Sequence, residues 1–153
     1  MKPVVAAITV PQHPEEVFDL IDVLADHEQF TDHFLYDWEV SGPRAGVGAR
    51  ARMKVRRPGR DEQLEMEVVA SERPVTTVEE SVSAGGRRRT RGTYRLDEQP
   101  GSGTRVTFEL AWLAAPLSER LAAPLVRAVT RRANAKSLER LASMLAEQDH
   151  SQA

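Results

Sequence analysis

The chain has 153 residues, 41% of them hydrophobic and 29% charged, with 21 basic and 23 acidic side chains and a formal net charge of −2. That length fits one domain with a real core, and the near-neutral charge argues against a general polyanion binder. No run of about 18 apolar residues occurs, which rules out a membrane-spanning helix, and zero cysteines exclude disulfides, thiol catalysis and Cys-ligated metal, as suits a cytoplasmic protein.

Val4, Ala6, Ile8 and Val10 alternate with Val5, Ala7 and Thr9 and predict a first strand that Pro11 ends. With one Lys and a short apolar stretch before Pro11, the start does not read as a cleaved signal peptide. A helix follows. Pro14 suits its first turn, Glu15 and Glu16 suit the positive end of its dipole, and Val17, Phe18, Leu20, Ile21 and Leu24 form its apolar face. Residues 26–33 read as a short second helix or an ordered turn.

From residue 34 to 112 the period changes to two, and six further strands are expected. The first, 34–40, puts Phe34, Tyr36, Trp38 and Val40 on one face. The second, 49–57, turns Ala49, Ala51, Met53 and Val55 inward, and the third, 62–71, does so with Leu64, Met66, Val68 and Ala70. Pairing Arg57 with Glu62 sets Met53 opposite Met66, Lys54 opposite Glu65 and Arg52 opposite Glu67, so one register satisfies both faces. The fourth strand, 75–83, and the fifth, 87–96, flank Ala84-Gly85-Gly86. A three-residue loop there pairs Ser83 with Arg87 and turns Val78, Glu80 and Val82 inward. The sixth, 104–112, places Val106, Phe108, Leu110 and Trp112 inside.

Residues 117–147 are helical, with an apolar stripe of Leu121, Leu125, Ala128, Val129, Leu138, Leu141, Ala142 and Leu145. Pro124 breaks this helix into a short piece and a long one. Residues 148–153 are expected to fray. Only the long helix can cover one face of a seven-stranded antiparallel sheet, and a curved sheet closing on one helix leaves a space between them.

This order resembles the START-like helix-grip superfamily, also called Bet v 1-like (SRPBCC). Within it the chain is most similar to the bacterial polyketide cyclase/dehydrase and lipid-transport group. The resemblance is carried by Val10-Pro11 leading into Pro14-Glu15-Glu16-Val17-Phe18, by Asp26 ahead of Phe30 and Phe34, and by Gly46-Val47-Gly48. Glu72-Arg73-Pro74, Gly92-Thr93-Tyr94, Gly103-Thr104-Arg105-Val106 and the end of the last helix complete it. These are framework signals. They imply an α+β helix-grip fold, one ligand-binding domain over 1–147, and a cavity for a lipid, polyketide or aromatic compound, without implying a particular reaction.

Alternation gives the inner face a short polar set, Tyr36, Trp38, Glu80, Arg88, Thr90 and Tyr94, among Met53, Met66, Phe108 and Trp112. A mostly apolar lining with a few convergent polar groups is what small-molecule sites look like. Glu80 is the candidate catalytic residue, because a lone inward carboxylate must be paired, protonated or used. Its plainer reading is a structural pair with Arg88. In a polyketide cyclase or aromatase-like dehydratase, the alternative to simple binding, Glu80 would move protons while Tyr36 and Tyr94 bond a carbonyl. A protein-interaction or toxin-like regulatory module is the further alternative.

Other chemistries find little support. His27 and His33 are six residues apart, off one helical face, and read as surface or mouth histidines with no metal. There is no G-x-S-x-G motif, and Gly42, Gly46 and Gly48 do not open a helix as a dinucleotide loop would. No cofactor is expected. Arg outnumbers Lys 18 to 3, which reads as base-composition bias. The densest basic stretch, Arg87-Arg88-Arg89 with Arg91, lacks the aromatic platforms of a nucleic-acid site. Peripheral contact with an anionic membrane surface is the softer reading of that stretch. Oligomeric state is left open.

Overall fold

The computed structural model describes residues 1–152. Strand β1 (Val4–Val10) leads to α1 (Pro14–Ile21), a 3-10 turn (Leu24–Asp26) and the short α2 (Glu28–Thr31). Strands β2 (Leu35–Ser41), β3 (Arg50–Val55), β4 (Glu62–Glu72), β5 (Thr76–Ser83), β6 (Arg88–Glu98) and β7 (Thr104–Ala114) follow, and then α3 (Leu117–Leu121) and α4 (Ala123–Gln152). The seven strands form one antiparallel sheet in the order β1-β7-β6-β5-β4-β3-β2, so β1 closes the meander against its last strand. This is the α+β helix-grip arrangement expected from the element order. No helix among the described residues is long and apolar enough to cross a membrane.

Alternation holds on most strands. Val4, Ala6 and Val10 of β1, Met53 of β3, and Val106 and Phe108 of β7 are buried. One apolar cluster joins α1, β1, β6 and β7 to Leu138, Leu141 and Leu145 of α4, and a second lies under β2–β4 around Leu24 and Met53.

Two registers and the facing of one strand differ from expectation. In the β3–β4 pair Val55 lies opposite Glu62, Met53 opposite Leu64 and Arg52 opposite Glu65, a slip of two residues. The turn is longer because Asp61 Oδ1 accepts from the Arg57 amide at 3.2 Å. A two-residue slip preserves the faces and still matches bases to acids, so charge pairing alone does not select the register.

In the β5–β6 pair the slip is one residue. Ser83 lies opposite Arg88 and Glu79 opposite Gly92. The loop is four residues long, with Ala84, Gly85 and Gly86 all at positive φ, a run that glycine makes accessible. A one-residue slip exchanges the faces of a strand, so Thr77, Glu79, Ser81 and Ser83 are buried.

The third departure is a bulge in β2. Asp37 has φ 55 and the register shifts between Tyr36 and Glu39. Glu28 accepts from the amides of Asp37 (2.9 Å) and Trp38 (3.4 Å), satisfying donors the bulge takes from the ladder. Leu35 is therefore buried, while Tyr36 is outside and Val40 is exposed.

The C-terminal helix breaks as expected. Ala122 leaves helical geometry, and Pro124 falls in the first turn of α4, where its missing N–H costs nothing. The expected apolar stripe does not hold along its length. Leu138, Leu141 and Leu145 are buried, but Leu121, Leu125, Ala128 and Val129 are exposed. At about 100° per residue, the 13 positions from Leu125 to Leu138 set the two about 140° apart. α4 also stays helical to Gln152, through most of the stretch expected to fray, and Gln12 Nε2 donates to Asp149 Oδ2 at 2.7 Å near that end. Ala153 lies outside the described residues.

Candidate functional site

Between the inner face of the sheet and the first half of α4 lies a cavity of about 210 Å³. Its walls are mostly apolar: Leu35, Trp38, Met66, Phe108, Leu110 and Trp112 from the strands, with Val126 and Leu138 from α4. It is smaller than the about 300–1,000 Å³ of drug-sized sites, which favours a compact ligand.

Glu79 is the outstanding polar group of this lining. Its residue is 9% exposed, and burial alone pushes its carboxyl up from 4.5 to about 8. No cation among the described residues pairs with it. At neutral pH the carboxyl is therefore protonated and acts as an O–H donor inside an apolar space. The sheet makes room for it with Gly92 opposite, where a Cβ would lie 2.8 Å from Phe108 Cζ and 3.2 Å from Glu79 Cγ.

Two rings share the cavity wall with this group. Tyr94 is buried, and burial, with a smaller contribution from the Glu79 charge, raises its hydroxyl well above the ordinary range. His27 lies 6.1 Å from Tyr94 between ring centroids and is also packed against Trp38 and Phe30. Its Nε2 donates to the Ile21 carbonyl at 2.6 Å, which leaves Nδ1 as the acceptor of the neutral ring. Burial holds its pKa down at about 4, against which the bond to Ile21 pulls the other way.

The opposite end of the cavity is ionic. Arg88 donates from Nε to both Glu119 oxygens (3.1 and 2.9 Å) and from Nη1 to Glu62 (2.7 Å) and Ser83 (2.8 Å). Arg57 adds a 2.6 Å bond to Glu119. This cluster ties α3 to the sheet, and two carboxylates balance its two guanidiniums.

The residues singled out from the sequence therefore divide. Trp38, Met66, Arg88, Thr90, Tyr94, Phe108 and Trp112 meet on the cavity wall. Met53 is buried behind that wall in the core under β2–β4. Tyr36 is displaced by the β2 bulge to the outer side, where it bonds Asp61 and lies under Arg56 at 4.2 Å. Glu80 points outward and pairs with Arg91 at 2.8 Å, both well exposed, so it pairs neither with Arg88 nor with anything in the cavity.

Sequence reasoning missed Glu79, Ser81, Glu119 and His27. On β5 the pattern pointed the wrong way, because the apolar Val78 and Val82 lie on the outer face and the polar row lies inside. The usable signal was the length of the Ala84–Arg87 loop. His27 is buried, against its expected place at the surface or mouth. His33, in the turn after α2, bonds α4, its Nε2 donating to the Ala133 carbonyl at 3.0 Å. Among the described residues no group of three His, Asp or Glu forms a metal site.

Residues 1–146 match the sequence pattern of the family described as polyketide cyclase / dehydrase and lipid transport. A Thermus thermophilus protein, TTHA0849, shares the fold with a TM-score of 0.77 and 23% identity, over 96% of this chain and 99% of its own. Ara h 8.0201 aligns with a TM-score of 0.65 and 12% identity, over 95% and 98%. DynU16, from the dynemicin biosynthetic locus, aligns with a TM-score of 0.67 and 18% identity over 95% of this chain, which spans 48% of DynU16. No curated protein matches the sequence.

Proposed function

The chain belongs to the polyketide cyclase / dehydrase and lipid-transport family, and on that premise we propose that it binds a compact hydrophobic small molecule between sheet and α4, with residues 1–147 acting as one ligand-binding unit. A lipid, polyketide or other aromatic compound fits this reading. The observation that carries it is the unpaired, buried carboxyl of Glu79 inside an apolar cavity. The Glu79 carboxyl has no protein partner among the described residues, and a ligand carbonyl or hydroxyl bonded to it would contribute about 0.5–1.5 kcal/mol net. Trp38 and Trp112 would flank the ring or chain of the guest, with Thr90 and Tyr94 beside it. Native mass spectrometry of the protein purified from its own host, with displacement of a fluorescent lipid, tests the reading. A mass adduct and a displaceable probe support it; the bare chain mass with no probe uptake contradicts it.

A second reading is a cyclase or aromatase-like dehydratase, and Glu79 with neutral His27 and Tyr94 favours it. A protonated carboxyl in an apolar cavity can give a proton to a ligand carbonyl as it enolises, and the resulting carboxylate can take one back from carbon. Glu79 would then take the acid–base role that the strand pattern assigns to Glu80. Glu79→Gln should abolish turnover of a poly-ketone while leaving the fold intact, and unchanged product formation would remove this role.

A further inference from the structure

We propose that the outward face of α3 and the first half of α4 docks onto an anionic lipid surface. Leu117, Leu121, Leu125 and Val129 follow one another at four-residue spacing and are 65%, 79%, 67% and 61% exposed. Along α4 the same face continues from Leu125 and Val129 to Arg132 and Lys136, at spacings of four, three and four residues, which keep side chains in one row. An apolar head thus runs into a basic tail over about 16 Å of helix. The next acid on that face, Glu139, comes only beyond Lys136.

Charge sets this region apart from the rest of the chain. Residues 117–136 hold five bases, Arg120, Arg127, Arg131, Arg132 and Lys136, against the single acid Glu119, in a chain whose total is −2. Glu119 is turned inward and held by Arg57 and Arg88. None of the five bases makes an ion pair among the described residues, and Arg127 is bonded only to the backbone carbonyls of Lys2 and Pro3, which leave its charge in place. Arg132 and Lys136 share the row of Leu125 and Val129, while Arg127 and Arg131 lie more than about 100° round α4, so the docking face is apolar with a basic end, in a strongly positive segment of an otherwise acidic molecule. That combination is what holds an amphipathic helix at an anionic bilayer interface, apolar side chains among the acyl chains and bases among the headgroups. The outer side of a helix is convex, and a bilayer yields to it where a protein partner would need a matching groove. Val126, Val129 and Thr130 also line the cavity, so the docked face adjoins the space assigned to the ligand. The docking itself does not rest on that assignment, and an empty cavity would leave it standing.

Flotation of the full chain with vesicles tests it, using phosphatidylcholine alone and phosphatidylcholine mixed with phosphatidylglycerol. The chain is expected to float only with the mixed vesicles and to be released by salt. The paired change Arg132→Gln with Lys136→Gln should lower partitioning about 25-fold, at about fivefold per base. Leu125→Ser with Val129→Ser should lower it by a comparable factor, and both variants keep buried residues untouched. Equal flotation with the two vesicle types, or wild-type binding by both variants, overturns the proposal. So does an absence of flotation together with a concentration-dependent dimer in sedimentation that the Leu125 and Val129 changes abolish, since a second copy would then cover this face.

Discussion

Glu79 lies directly opposite Gly92 across the β5–β6 pair, and a Cβ on residue 92 would come within 3.2 Å of the Glu79 side chain and 2.8 Å of the Phe108 ring. The glycine therefore leaves the space into which the carboxyl and the ring project. Gly92→Ala should destabilise the fold by about 1–3 kcal/mol through overpacking. Urea denaturation measures this, and a loss near zero would mean that the wall is looser than described.

Two buried groups give stability opposing dependences on pH. Glu79 has a folded pKa of about 8 against 4.5, so its contribution is whole below about 4.5 and is lost as pH rises toward 8, by up to about 1.4 kcal/mol per unit. His27 has a folded pKa of about 4 against 6.5, so its contribution is whole above about 6.5 and is lost as pH falls toward 4. The slopes oppose each other from about 4.5 to 6.5, and Glu79 acts alone from about 6.5 to 8. The urea midpoint of the wild type should therefore fall between those last two values, while that of Glu79→Gln stays level there. Parallel profiles for the two proteins would contradict the buried carboxyl.

Removing one member of the ionic cluster should be costly. Glu119→Ala leaves Arg57 and Arg88 facing each other with Glu62 as their remaining acid. Breaking a buried pair on one side costs about 3–5 kcal/mol, and because Glu62 and Ser83 still hold Arg88, a loss near about 3 kcal/mol is expected here. Hydrogen exchange should quicken in α3, which Glu119 fastens to the sheet. A change of only a few tenths of a kcal/mol, the range of an exposed pair, would contradict the cluster's burial.

The architecture was legible because its signals were redundant: alternation on β1, β3 and β7, the proline break before α4, and the one long helix all favour the same topology. Most of the cavity wall came with it, since Trp38, Met66, Thr90, Tyr94, Phe108 and Trp112 follow from facing alone. What failed depended on counting single residues. One extra residue in the Ala84–Arg87 loop exchanges Glu80 for Glu79, and one bulge at Asp37 moves Tyr36 outside. Neither leaves a periodic trace in the sequence. The outer Val78 and Val82 made the wrong face of β5 look apolar, and the run from Leu121 to Val129 looked like core because exposed and buried stripes have the same spacing.

Glu80 supplies the control for Glu79. It sits on the outer face with Arg91, an exposed pair worth about 0.2–1 kcal/mol. Glu80→Gln should change stability by no more than that and leave ligand binding untouched. A binding defect in this variant would put the functional carboxyl on the other side of the sheet.

The most direct test uses the two tryptophans, Trp38 and Trp112, both of which line the cavity. Their fluorescence should respond to a neutral aromatic ketone such as 2-acetonaphthone with saturable, one-to-one quenching. Replacing Glu79 by Leu should weaken that binding about tenfold, the value of one hydrogen bond, and wild-type affinity should fall as pH rises past about 8, where the carboxyl ionises. Quenching that rises linearly without saturation, or equal affinity in wild type and Glu79→Leu, would contradict a ligand held in this cavity by Glu79.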